Sequence, residues 1–172
     1  MACALTSGYT LDCRDSLGGL QEVYFIAKQD VDAYTSSGGV ISDIDKATGK
    51  GFYKYELVKA TSSWVENVNA SVENGSVFYQ QELTIILNKM QAATRNEIML
   101  LAKNLLVAVV KDNNGKFWLL GKDRGMDMTA GSGSSGTAEG DRNGYTLTFT
   151  GKEAEMAYEV NSAEGAVLET AG

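Results

Sequence analysis

The apolar and polar positions of this chain alternate as they do in β proteins. Residues 22–28, Glu-Val-Tyr-Phe-Ile-Ala-Lys, are aromatic or β-branched on both faces, as in a strand covered on both sides. Residues 52–58 set Tyr53, Tyr55 and Leu57 against Lys54 and Glu56, the period of a half-buried strand. From 61 to 72, Trp64, Val68, Ala70 and Val72 share one face, interrupted by Glu66, while Val65, Asn67, Asn69 and Ser71 share the other. Asn74-Gly75 is a strong hairpin signal because both residues tolerate positive φ, so the chain turns back there. Residues 77–88 then put Val77, Tyr79, Leu83, Ile85 and Leu87 on one face and Gln80, Glu82, Thr84 and Asn88 on the other. Extended at about 3.3 Å per residue, that segment spans roughly 40 Å, well beyond the usual strand.

Thr94-Arg95-Asn96-Glu97 has the spacing of a capping box, and Ile98, Leu101, Ala102 and Leu105 recur at helical spacing. Together they predict a short helix over about 94–103 that covers one face of a sheet. The apolar run 105–110 predicts a central strand, which Asp112-Asn113-Asn114-Gly115 turns into a second hairpin with 116–120. That turn lacks the further oxygen position and the distal Glu of a calcium loop. Residues 145–150 direct Tyr145, Leu147 and Phe149 inward and Thr146, Thr148 and Thr150 outward; Met156, Tyr158 and Val160 repeat the period, predicting a closing hairpin.

The remaining segments read as connections. Residues 29–51 carry Ser36, Ser37, Gly38, Gly39 and the acids Asp30, Asp32, Asp43 and Asp45, with Val40, Ile41 and Ile44 as anchors, and read as a long loop that is functional or ordered by a partner. Residues 129–144 read as a flexible glycine-serine connection. Gly131-Ser132-Gly133-Ser134-Ser135-Gly136 within it matches the dinucleotide-binding spacing, but it runs into more glycine and a strand instead of opening an apolar helix. Residues 1–20 read as an arm, 21–160 as a single domain and 161–172 as a tail ordered only on docking.

Composition narrows the chemistry. The 172 residues, 44% of them hydrophobic, suit one domain with a core. A net charge of -7, from 22 acidic and 15 basic residues, gives no footprint for tight nucleic-acid binding. Histidine is absent, so the commonest general base and metal ligand are missing. Cys3 and Cys13 are too few for a disulfide framework and read as free thiols. The first residues lack the pattern of a signal peptide and no run is long enough to span a membrane, so the expected compartment is the cytoplasm. The sequons Asn69-Ala70-Ser71 and Asn74-Gly75-Ser76 then read as strand and turn. Acid pairs such as Asp43 with Asp45, or Glu139 with Asp141, read as solvated loop charges, and Trp64 and Trp118 lack the neighbouring arginines of a base-stacking platform. No enzyme, cofactor or metal site is expected.

What remains is shape, and here a family resemblance enters. The order of long hairpin, helix, hairpin and closing hairpin is carried by Trp64-Val65-Glu66-Asn67, Gly75-Ser76-Val77-Phe78-Tyr79-Gln80-Gln81-Glu82-Leu83, Asn113-Asn114-Gly115-Lys116-Phe117-Trp118-Leu119-Leu120-Gly121 and Gly144-Tyr145-Thr146-Leu147-Thr148-Phe149-Thr150-Gly151. Over residues 20–160 it resembles the tail tube proteins of tailed bacteriophages. In that family a β-sandwich with one flanking helix forms hexameric rings, long hairpins build a continuous inter-subunit β-barrel, and stacked rings form the channel that DNA traverses.

The resemblance implies a mainly β, sandwich or barrel-like domain, with 52–72 and 77–88 in the lumen-forming sheet. Either the polar face of Asn67, Asn69 and Ser71 or the opposite face with Glu66 would meet the channel, and Gln80, Glu82 and Thr84 of the next strand would belong to the same lumen-facing or inter-subunit hairpin. The loop 29–51, with Asp30, Asp32, Asp43 and Asp45, and the N-terminal arm would contact the next ring. Partners would be further copies, other tail or neck proteins and DNA in transit, with no membrane; the protein would be made in the host cytoplasm and reside in the virion tail. A capsid decoration or head-tail connector protein of related fold is the alternative. A carbohydrate-binding β-sandwich using Tyr34, Tyr53 or Trp118 is the third.

Overall fold

The computed structural model describes residues 3–161. β1 (Leu20–Ala27) is buried on both faces, as its composition requires: Val23 and Phe25 enter one apolar cluster, Tyr24 and Ile26 another. β7 (Leu106–Asp112) pairs antiparallel with β1 and divides the same way, with Leu106, Ala108 and Val110 against Val107 and Val109. These two strands are central in a seven-stranded sheet whose order is β2-β3-β11-β8-β7-β1-β4, with β2 Val31–Ser37, β3 Val40–Lys46, β4 Tyr53–Glu56, β8 Phe117–Leu120 and β11 Tyr158–Val160. A second sheet has the order β5-β6-β10-β9, with β5 Ser63–Ser71, β6 Ser76–Asn88, β9 Asp127–Ser134 and β10 Gly144–Glu153. Both sheets are open.

The sheets share a core. Leu83 and Ile85 of β6 and Leu147 and Phe149 of β10 pack on β1 and β7, with the Phe25 and Phe149 rings 4.8 Å apart. Each such side chain contributes about 1.5–3 kcal/mol by leaving water. The other face of the seven-stranded sheet is covered by Val31, Ile41, Ile44 and Phe52, so this sheet curls over itself at its β2-β3 end. The helix α1 (Ala92–Lys103) closes the core with Ile98 and Leu101.

Several expectations change. The helix begins at Ala92, two alanines before the expected start, so Thr94 lies inside the first turn; the N-cap is Gln91 and no side chain caps it. Alanine, the best helix former, extends the helix past the capping box. The segment 29–51 is not a loop. A 3-10 turn at Lys28–Asp30 leads into the β2-β3 hairpin, where Gly38 (φ 60°) and Gly39 (φ 82°) supply the left-handed pair that such a turn requires. A register shift leaves Ser42 unpaired, which explains why Ile41 and Ile44 are both buried at a spacing of three.

The glycine-serine segment is not wholly a connection either, because its first part is β9, paired with β10. Gly131 and Gly133 pack so closely on Leu147 and Tyr145 that a Cβ would sit 3.3 and 3.1 Å from those side chains. These glycines permit contact. Within the remaining connection, Asp141 accepts hydrogen bonds from the Thr137 and Ala138 amides at 2.9 and 2.8 Å, and these hold its carboxyl below the usual range.

The segment 52–72 does not stay in one sheet. β4 pairs with β1, the chain turns at Ala60 (φ 60°), and only β5 joins β6. Nor does the final strand form a hairpin with β10: β11 crosses back to pair antiparallel with β8 and parallel with β3. The Glu66 carboxylate holds that crossing by accepting from the Ala157 amide at 2.9 Å. Beyond residue 161, the expected tail lies outside the described residues.

Candidate functional site

The β5-β6 register decides which polar residues share a face. Ser63 stands opposite Thr84, Val65 opposite Glu82, Asn67 opposite Gln80, Asn69 opposite Phe78, and Ser71 opposite Ser76. Asn67, Asn69, Ser71, Gln80, Glu82 and Thr84 are therefore gathered on the face turned away from the core. β10 continues this face with Thr146, Thr148, Thr150 and Lys152. Glu82 and Lys152 are the charged residues at the outward positions of these three strands, so the surface is hydroxyl- and amide-rich and close to neutral. It also carries Val65, Phe78 and Ile86, with the Lys152 ammonium 5.5 Å from the Phe78 ring centre.

Glu66 does not belong to that face. It points between the sheets, opposite Gln81, and its Oε2 accepts from Gln81 Nε2 at 2.9 Å. Gln81 is 1% exposed, and its Oε1 accepts from the Gly121 amide at 2.9 Å. Gly121, Gln81, Glu66 and Ala157 thus form one hydrogen-bonded line that ties the β8-β9 loop, β6, β5 and the β10-β11 crossing together. Gln81 was legible only as a polar residue at an inward position of a period-two strand. Truncating it leaves a buried amide and part of a carboxylate unpartnered, so Gln81→Ala is expected to cost about 3 kcal/mol in urea denaturation.

Glu153, also unmarked by any motif, is 4% exposed. Burial pushes its carboxyl up, while hydrogen bonds from the Arg124 and Asp123 amides at 2.9 and 3.2 Å oppose the shift. Its place is structural, as the anchor of the loop before β9.

The acids of the expected stacking loop lie on the other sheet. Asp32, Asp43 and Asp45 are exposed on the β2-β3 hairpin, and Asp30 is partly buried in the 3-10 turn. The hairpin and the polar face are separate surfaces.

The edges of the two sheets differ. In the seven-stranded sheet, β4 is a four-residue edge whose Lys54 ammonium lies 3.1 Å from Glu22 and 3.5 Å from Glu56, and β2 is interrupted by two register shifts. Short length, charge and bulges are the usual guards against edge pairing. In the four-stranded sheet, β5 turns its one charge, Glu66, inward, and β9 carries only Asp127 at its start. β9 has a single bulge near its beginning and is regular from Ala130 to Ser134. Every pairing from β5 to β9 is antiparallel, so the two edge strands run opposite to one another. A β9 edge placed beside the β5 edge of another copy would continue the same antiparallel pattern.

Among the described residues no group of three or more Asp, Glu or Cys side chains is placed to hold a metal ion, and no helix is long and apolar enough to cross a membrane. The groove between α1 and β9 is lined by Ile98, Met128, Gly131, Tyr145 and Leu147. No protein-family model, curated protein or solved structure matches the chain.

Proposed function

We propose that the chain is a structural subunit that closes into rings and stacks into a tube of the bacteriophage tail type, a conduit for DNA with no catalytic role. The observation that carries this reading is the four-stranded antiparallel sheet, with no outward charge on its β5 edge, a β9 edge regular from Ala130 to Ser134, and a face of mostly neutral polar residues. Joining β9 of each copy to β5 of the next would remove both edges and make a closed wall, since a head-to-tail contact that closes on itself forms a ring. In that wall Asn67, Asn69, Ser71, Gln80, Glu82 and Thr84 would face the channel. A surface without a basic patch suits DNA transit, because phosphates gain nothing by stopping there. The sandwich of the family corresponds to the two packed sheets, and its inter-subunit barrel to this wall. A ring of six follows the resemblance.

Negative-stain electron microscopy of the purified protein tests the reading. Rings or tubes with a stain-filled centre are the expected result; monomers at high protein concentration would sink it, and monomers or trimers that bind capsids would favour the decoration role. Glu82→Lys is expected to leave assembly unchanged and to make the tubes bind DNA in a salt-dependent way. Glu66→Lys does not test the channel, since that side chain lies between the sheets.

A further inference from the structure

The N-terminal arm carries a strand pattern with which, among the described residues, no strand pairs. Cys3, Leu5, Ser7, Tyr9, Leu11 and Cys13 alternate with Ala4, Thr6, Gly8, Thr10 and Asp12, and Leu5, Tyr9 and Leu11 are 100%, 88% and 85% exposed. The arm is fastened at its root by the β7-β8 turn. The Leu17 amide donates to Asn114 Oδ1 at 2.8 Å, Asn114 Nδ2 donates back to the Leu17 carbonyl at 2.9 Å, and Asn113 Nδ2 donates to the Gly18 carbonyl.

A second apolar stripe lies on the β5-β6 hairpin, which outruns its own sheet. β10 follows β6 only as far as Tyr79, whereas β5 accompanies it to Ser76. On the core-side face of the overhang, Val68 and Val77 are 58% and 54% exposed, with exposed Ala70 opposite Val77 and Val72 in the turn beyond.

We propose that the arm of one copy lies along this overhang in a second copy, with Leu5, Tyr9 and Leu11 against Val68, Ala70, Val72 and Val77. Three observations favour that match. Alternate residues of an extended arm repeat at about 6.6 Å, as do successive same-face pairs of the hairpin, whereas the exposed Met99 and Leu100 on α1 offer a helical repeat. Residues 3–16 extend to roughly 45 Å, enough to cross to a neighbour from the fixed root. Copies with a net charge of -7 repel, so they should meet at uncharged segments; residues 3–11 have no charge and 67–81 have only Glu73. Donor and acceptor are different parts of the same chain, so the contact is head-to-tail and each copy can both give an arm and receive one.

The inference rests on the proposed self-assembly and is tested separately from it. The native thiols Cys3 and Cys13 serve as probes against Val72→Cys, with Ser37→Cys on the β2-β3 hairpin as control. Oxidation should give a ladder of disulfide-linked multimers for Val72→Cys well above the control. A cross-linked monomer, or no excess over the control, would overturn the second-copy docking. In parallel, Leu5→Ser/Tyr9→Ser/Leu11→Ser should shorten assemblies at least tenfold while melting as the wild type does. If the wild type forms tubes and the triple variant forms tubes of equal length, the arm docking falls and the tube reading stands; a wild type that stays monomeric overturns both.

Discussion

Replacing Gly144 by alanine is expected to lower stability by about 3 kcal/mol or more, a larger loss than most single substitutions cause. A Cβ at this position would lie 2.1 Å from the Leu87 carbonyl oxygen and 3.0 Å from the Asn88 Cα, well inside contact distance. Both atoms are backbone of β6, so no side-chain rotation relieves the clash. Gly144 opens the β10 ladder opposite Asn88, and β10 stands between β6 and β9, so separating the strands there disturbs both partners of the central strand. The ordinary cost of overpacking, about 1–3 kcal/mol, applies where side chains can shift, which this site does not allow. Gly140→Ala, with nothing within 4 Å of its Cβ, is the control and should stay within about 0.5 kcal/mol. Equal urea midpoints for the two variants would refute the close approach of β10 to β6.

The second large effect is expected on the proposed assembly, and a pair of prolines in β5 isolates it. Consecutive amides of a strand point to opposite sides, so of Asn67 and Val68 one donates toward β6 and the other toward the free edge. Proline at the first position should cost the monomer about 3 kcal/mol, as loss of an internal ladder bond does. At the second it should leave the melt near the wild type yet raise the concentration needed for ring formation at least a hundredfold, about 2.7 kcal/mol per junction. Sedimentation and negative stain read the second effect, and thermal melting the first. If both variants form rings as readily as the wild type, β5 is not the junction strand.

Much of this architecture was legible because burial imposes a period. The double-sided run of β1, the alternation of β5, β6 and β10, and the Asn74-Gly75 and Asn114-Gly115 turns all follow from local pattern. The misread segments are those where a local signal had two physical meanings. Gly38-Gly39 served a tight hairpin, although glycine beside serine also marks loops. Gly131 and Gly133 served close packing, a property of Leu147 and Tyr145 that lies outside their own segment. The sheet that β4 and β11 would join depends on partners more than twenty residues away and could not be read locally. Within the candidate surface, six of the seven residues expected near the hairpin do share a face, and Glu66 was separable from them by parity. Its bond to Gln81 was not, since that requires the register of two strands.

The line from Gly121 through Gln81 and Glu66 to Ala157 also bears on slippage. A hairpin whose outer residues are mostly Ser, Asn, Gln and Thr can shift by two positions with little change to that face, because like replaces like. Here such a slip of β5 along β6 would move Glu66 away from Gln81 and leave the Ala157 amide without its acceptor. One carboxylate and one carboxamide therefore fix the length of the overhang and the position at which β5 meets whatever lies beside it.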